Sequence, residues 1–77
     1  MEINLLAFGQ IAEITGKSAW KISGIKDTNA LIQDLEKQFP HLVKTNYSIA
    51  VNKKVIQENT AINENDTIAL LPPFSGG

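Results

Sequence analysis

The 77-residue chain has no cysteine, no arginine and a single histidine, His41. Missing thiols exclude disulfides, cysteine-built zinc sites and a thiol nucleophile. His41 alone cannot complete a metal site or a catalytic triad. No phosphate-binding glycine loop or carboxylate pair appears, so no metal and no bound cofactor is expected. Basic charge comes only from seven scattered lysines, set against eight acidic residues. A net charge of −1 without a basic stripe argues against a nucleic-acid partner. No apolar run approaches the ~18 residues of a membrane-spanning helix. No basic segment leads into an apolar one, as it does in a secretory leader. These absences predict no membrane association and a cytoplasmic address. They leave a chain of 43% hydrophobic residues, apolar enough for one packed domain and too short for two.

The pattern along the chain reads β, β, α, β, short β, β. Residues 2–8 form an apolar strand. Residues 9–16 read as one or two helical turns with Gly16 as a left-handed cap. Over residues 18–23, Trp20 and Ile22 alternate with Ala19 and Lys21, which marks a second strand, with Trp20 on the core side. Leu31, Leu35 and Phe39 recur at steps of four, with Ile32 beside them, as one stripe of a helix. Asp27 or Thr28 caps its start, and Pro40 stops it. Residues 47–52 form a third strand, Lys53 and Lys54 turn the chain, and residues 55–57 pair back. A turn at Asn63–Asp66 leads to the last strand, Thr67–Leu71. Strands on both sides of one main helix predict a two-layer α+β roll with its first and last strands parallel.

Strand parity then singles out a second apolar set. If Ile3, Leu5, Ala7, Ile68 and Leu70 face the helix, Leu6, Phe8, Ala69 and Leu71 face outward on neighbouring strands. Val55, near the hairpin turn, extends this patch. One reading has the loop after the first strand covering part of it. The other makes it a partner-binding site, because contiguous exposed apolar patches mark such sites.

The chain closes on LLPPFSGG. Pro72 ends strand pairing, having no N–H to donate, and Pro72-Pro73 stiffens the exit. A body of residues 1–71 and an extended, flexible tail of residues 72–77 follow from this. The tail, Pro72, Pro73, Phe74, Ser75, Gly76 and Gly77, reaches roughly 20 Å when extended. Its glycines lack Cβ atoms and fit a narrow channel. The Gly77 α-carboxylate is an anion and a poor electrophile at neutral pH. An outside enzyme must activate it, most simply as an acyl-adenylate, before sulfur or an amine displaces the leaving group. Any sulfur must come from another molecule. A frayed end without function is the competing reading.

Four segments carry a family resemblance. LLPPFSGG resembles the PP-x-[S/T/A]-GG ending of the small subunit of molybdopterin synthase, a ubiquitin-like sulfur-carrier family. INLLAFGQIAEITG resembles its opening strand, aromatic, short helix and Thr-Gly. IAVNKKVI resembles its A-V-N strand and turn, and INENDTIALLPP its final turn and strand. The resemblance spans nearly the whole chain, and the Pro-Pro pair is its most specific part. Asn65 stands where the family often has glycine, and Phe74 where it has a smaller aliphatic residue.

The resemblance implies a ubiquitin-like β-grasp fold, a mixed sheet of four to five strands packed on one main helix. It implies a non-catalytic, sulfur-carrying subunit of a transferase. An adenylating, E1-like enzyme would spend ATP on Gly77, and a sulfur donor system would convert it to a thiocarboxylate. The large subunit of molybdopterin synthase would supply the catalytic side chains. Sulfur would pass there to cyclic pyranopterin monophosphate in molybdenum cofactor biosynthesis, within a heterotetramer. Phe8, Val55 and Leu71 would meet the partners. Two alternatives stand beside this reading. One is a sulfur carrier for thiamine or tRNA thiolation. The other is a protein modifier conjugated through Gly77.

Overall fold

The computed structural model describes residues 2–72. Five strands form one mixed sheet: β1 (Glu2–Ala7), β2 (Ala19–Ser23), β3 (Ser48–Val51), β4 (Lys54–Ile56) and β5 (Thr67–Leu71). Their order is β2-β1-β5-β3-β4. The central pair, β1 and β5, runs parallel, and the other pairings are antiparallel. Helix α1 (Gly9–Thr15) follows β1, and the main helix α2 (Thr28–Gln38) crosses one face. This is the expected α+β roll with a five-stranded sheet.

The core lies between sheet and helices. Ile3, Leu5, Ala7, Ile49, Ile68 and Leu70 point inward and meet Leu31 and Leu35 of α2. The alternation read from β1 and β5 therefore holds residue by residue. Trp20 and Ile22 are half-buried and pack against this core, as their parity requires. Lys17 Nζ lies 5.6 Å from the Trp20 ring centroid, within cation–π range.

Between the two capping candidates, Asp27 takes the role. Its carboxylate accepts from Ala30 N–H at 2.8 Å, while Thr28 is buried and its hydroxyl donates to Asn59 at 3.3 Å. Gly16 adopts φ 75° and closes α1 by donating its N–H to the Ala12 carbonyl at 2.8 Å.

Three boundaries shift from the sequence reading. β1 ends at Ala7, and Phe8 is the extended residue that starts α1. The hairpin turn is Asn52-Lys53, both at positive φ, and Lys54 already belongs to β4. Two consecutive left-handed residues match the twist of a two-residue hairpin. Pro40 does end α2, yet it also opens a 3-10 turn, Pro40–Lys44, that the pattern did not announce. That turn buries Leu42 completely in the core. Its signal is faint, because two adjacent apolar residues, Leu42 and Val43, between His41 and Lys44 show no period. Asn65 takes φ 67°, the left-handed turn for which the family often uses glycine.

Candidate docking face and tail root

The sheet face opposite α2 carries the outward apolar set. Strand register aligns it into a row: Ala19 beside Leu6, Leu6 beside Ala69, Ala69 beside Ala50, Ala50 beside Val55. The row crosses all five strands. Leu71, two residues beyond Ala69, lies on the same side beside Ser48. Leu6, Ala69 and Leu71 are half-buried, whereas Val55 is 51% exposed and Phe8 46%. Exposure of this size on large apolar side chains is a cost in water that a covering partner removes.

The structure thus brings Leu6, Phe8, Ala69, Leu71 and Val55 to one surface. Two residues missed by the sequence reading complete it. Ala50 bridges Ala69 to Val55. It was overlooked because its strand gave no parity argument for the outer side. Ala19 extends the row across β2. The next row along is polar: Lys21, Asn4 and Thr67. The apolar half of the face is therefore the half at the carboxyl ends of β1 and β5.

The tail leaves from that same half. Phe8 N–H donates to the Leu70 carbonyl at 3.2 Å, and Ile11 N–H donates to the Phe8 carbonyl at 3.1 Å. These bonds fasten the start of α1 to the end of β5. Pro72 then sits against Gly9, where an added Cβ would lie 3.1 Å from the proline Cγ. Gly9 has φ 55°, so side chains are disfavoured there on conformational grounds as well. Pro73, Phe74, Ser75, Gly76 and Gly77 lie outside the described residues.

At the opposite end of the sheet, Asp66 holds the β3–β4 turn against β5. Asn52 Nδ2 donates to Asp66 Oδ1 at 2.9 Å, and Asn63 N–H donates to Oδ2 at 2.8 Å. Thr67 N–H donates to Asn52 Oδ1 at 2.9 Å. The bond from Asn52, then that from Asn63, holds the Asp66 carboxyl below the usual carboxylate range. This network fixes the hairpin that presents Val55. A separate groove runs between α2 and the β3–β4 edge, past Ile32, Tyr47 and Ile56. In it the Tyr47 hydroxyl donates to Glu36 at 3.0 Å. Burial, then that hydrogen bond and the Glu36 charge, push the Tyr47 pKa well up. Among the described residues no cluster of His, Asp and Glu is placed to hold a metal ion. No helix among them is long and apolar enough to cross a membrane.

Comparison with known proteins decides the family. The ThiS family profile matches residues 5–77. The chain belongs to the ThiS family. Within it, this ThiS-family chain is of the type of the molybdopterin synthase small subunit. It is 32% identical to the molybdopterin synthase sulfur carrier subunit of Dictyostelium discoideum, covering 99% of this chain and 96% of that one. A chain in the complex of subunits 1 and 2 of the Helicobacter pylori molybdopterin-converting factor is 28% identical. That likeness covers both chains fully with a TM-score of 0.75. The Haloferax volcanii SAMP1 structure has a TM-score of 0.80 over the full length of both chains, at 20% identity. The last likeness is one of fold. The β-grasp fold is therefore shared by sulfur carriers and a small archaeal modifier, so the ThiS-family fold alone does not choose between them.

Proposed function

We propose that this chain is the sulfur-carrying small subunit of a molybdopterin synthase, with the Gly77 carboxylate as its working group. The observation that carries the reading is the apolar face set at the root of the Pro-Pro-Phe-Ser-Gly-Gly ending. A docked body there directs the tail into the same partner. The relatives named as molybdopterin synthase sulfur carriers support the pathway, and the two-subunit Helicobacter pylori complex supports a large-subunit partner.

The chemistry proceeds in three steps. In the active site of an adenylating enzyme, a Gly77 carboxylate oxygen bonds to the α-phosphorus of ATP and pyrophosphate departs. A persulfide on the sulfur donor then attacks the Gly77 carbonyl carbon and AMP departs; a second thiol cleaves the resulting acyl disulfide, giving the thiocarboxylate and leaving a disulfide on the donor. Finally the tail enters the large subunit. There the thiocarboxylate sulfur bonds to a carbon of cyclic pyranopterin monophosphate as that carbon loses an oxygen substituent, and water then attacks the acyl carbon, breaking its C–S bond so that sulfur stays on the pterin and Gly77 returns to a carboxylate. Glycine suits each attack because its carbonyl has no neighbouring side chain. This chain supplies position and the acyl group, and the large subunit supplies the catalytic side chains.

Native mass spectrometry of the protein from its own cells tests the proposal. The expected species has gained the mass difference between one sulfur and one oxygen, located at Gly77. Covalent ladders through lysines of other proteins would instead identify a modifier. Retention of pterin sulfuration after deletion of Gly77 would refute the carrier reading altogether.

A further inference from the structure

We infer that the groove between α2 and β4 binds an extended segment of a partner protein that carries a lysine or arginine beside apolar residues. The groove is an open cleft of about 430 Å³. It lies on the α2 side of the sheet, so its occupant leaves the outer face and the tail root free. The cleft exists because α2 covers the middle of the sheet, where Leu31 and Leu35 are buried against the inward residues of β1, β3 and β5. Ile32, on the flank of α2, stays half-buried. So does Ile56, which pairs with the inward-facing Ile49 and therefore points to the same side of the outermost strand. A segment lying between them completes the burial of both.

Charge states which segment fits. Among the described residues the charged groups lining the cleft are two carboxylates, Glu36 and Glu58, and no lysine lines it. Glu36 is half-buried, and its Oε2 accepts from the Tyr47 hydroxyl at 3.0 Å, which holds the carboxylate in place. A carboxylate accepts several hydrogen bonds, so one from tyrosine leaves capacity for an ammonium or guanidinium group. The chain's own ending, Phe-Ser-Gly-Gly after the proline pair, has no base to meet these carboxylates. The strand edge supplies the backbone partner. Asn52-Lys53 is a two-residue turn, so Lys54 and Ile56 bond back to β3, and the N–H and C=O of Val55 between them point away from the sheet. An extended chain pairs with such an edge and turns alternate side chains into the cleft. With only three residues in β4, the edge needs the cleft to hold a segment.

The test follows amide NMR shifts of the isotope-labelled protein during titration with a short capped peptide. In it threonine alternates with an arginine and a pair of isoleucines, and it is made in both sequence orders. Saturable shifts at Ile32, Glu36, Val55 and Gln57, with Leu6 and Ala69 unmoved, are the expected result for at least one order. Glutamate in place of the arginine should weaken binding at least about tenfold, and so should Glu36→Gln combined with Glu58→Gln in the protein. Glutamine keeps an acceptor for Tyr47. If the double variant does not fold, the exposed Glu58→Gln serves alone, with an expected loss of about threefold. No saturable shifts with either order, or equal binding after the charge changes, would overturn the proposal. Shifts of the same amides on concentrating the protein without peptide would also overturn it, by making a second copy the occupant.

Discussion

Single residues set several local terms whose size and sign can be checked. Asp27 satisfies an orphan N–H of α2 at 2.8 Å, so Asp27→Ala should cost about 1 kcal/mol, read from denaturant midpoints. Leu42 is fully buried, and Leu42→Ala should cost about 2–5 kcal/mol through lost contacts and a cavity. That loss would demonstrate that the 3-10 turn belongs to the core. Asp66 gives a pH dependence with a definite sign. Its carboxyl titrates below its unfolded value of 3.8 in the fold, so the unfolded chain binds the proton more readily. The stability it contributes is present above that value and is lost as pH falls through the folded pKa. Asp66→Asn should reduce the slope of stability against pH in that acid window, and equilibrium unfolding at a series of pH values measures it.

At the level of elements, the hairpin turn carries a correctable strain. Lys53 sits at φ 73°, a region disfavoured for a residue with a side chain, in a turn that favours Asn-Gly. Lys53→Gly should stabilise the fold by up to about 1 kcal/mol, despite the entropy glycine adds to the unfolded chain. A denaturant midpoint below the parent's would contradict this. Between α2 and the segment leading into β3, Tyr47 donates to Glu36 and holds its proton above the ordinary tyrosine range. Its contribution is complete below the unfolded value of 10.0 and declines as pH rises beyond it. Tyr47→Phe should lessen that alkaline decline in an unfolding series. The type of each strand and of both α-helices was readable. Leucines at steps of four marked α2, alternation marked β2, and apolar runs bounded by turn or proline residues marked β1 and β5. The short pieces were not readable to the residue. β4 is three residues long, and the 3-10 turn has too little length to show a period.

For the whole molecule, the informative feature is asymmetry of the sheet's outer face. Its apolar half adjoins the point where Pro72 leaves the body, and its polar half lies at the far end. A partner covering the apolar half receives the tail without reorienting the body. Phe8→Asp and Leu71→Asp place charge in that half while sparing the core. Each should weaken association with the large subunit without lowering the unfolding midpoint by more than the modest amount usual for surface sites. Equal losses of folding and of binding would instead make these residues structural. Four of the face residues, Leu6, Phe8, Ala69 and Leu71, were found from parity, since the period-two rule carries over whenever neighbouring strands share register, and Val55 from its place near the hairpin turn. Ala50 was not, because its short strand has no polarity contrast to reveal its side, and Ala19, whose side alternation did give, joins the row only through the β1–β2 register.

The sequence by itself limited the chemistry. A chain without cysteine has no thiol of its own, so any sulfur it carries must be supplied by others. It also determined which strand residues face the helix, because burial of apolar side chains follows a period the backbone imposes. The tertiary structure decided what those periods could not. It placed β5 between β1 and β3, and so joined residues more than forty positions apart into one row. It set Pro72 against Gly9. Contacts of this kind depend on strand order and register, which are settled by the packing of the whole sheet and not by any segment within it.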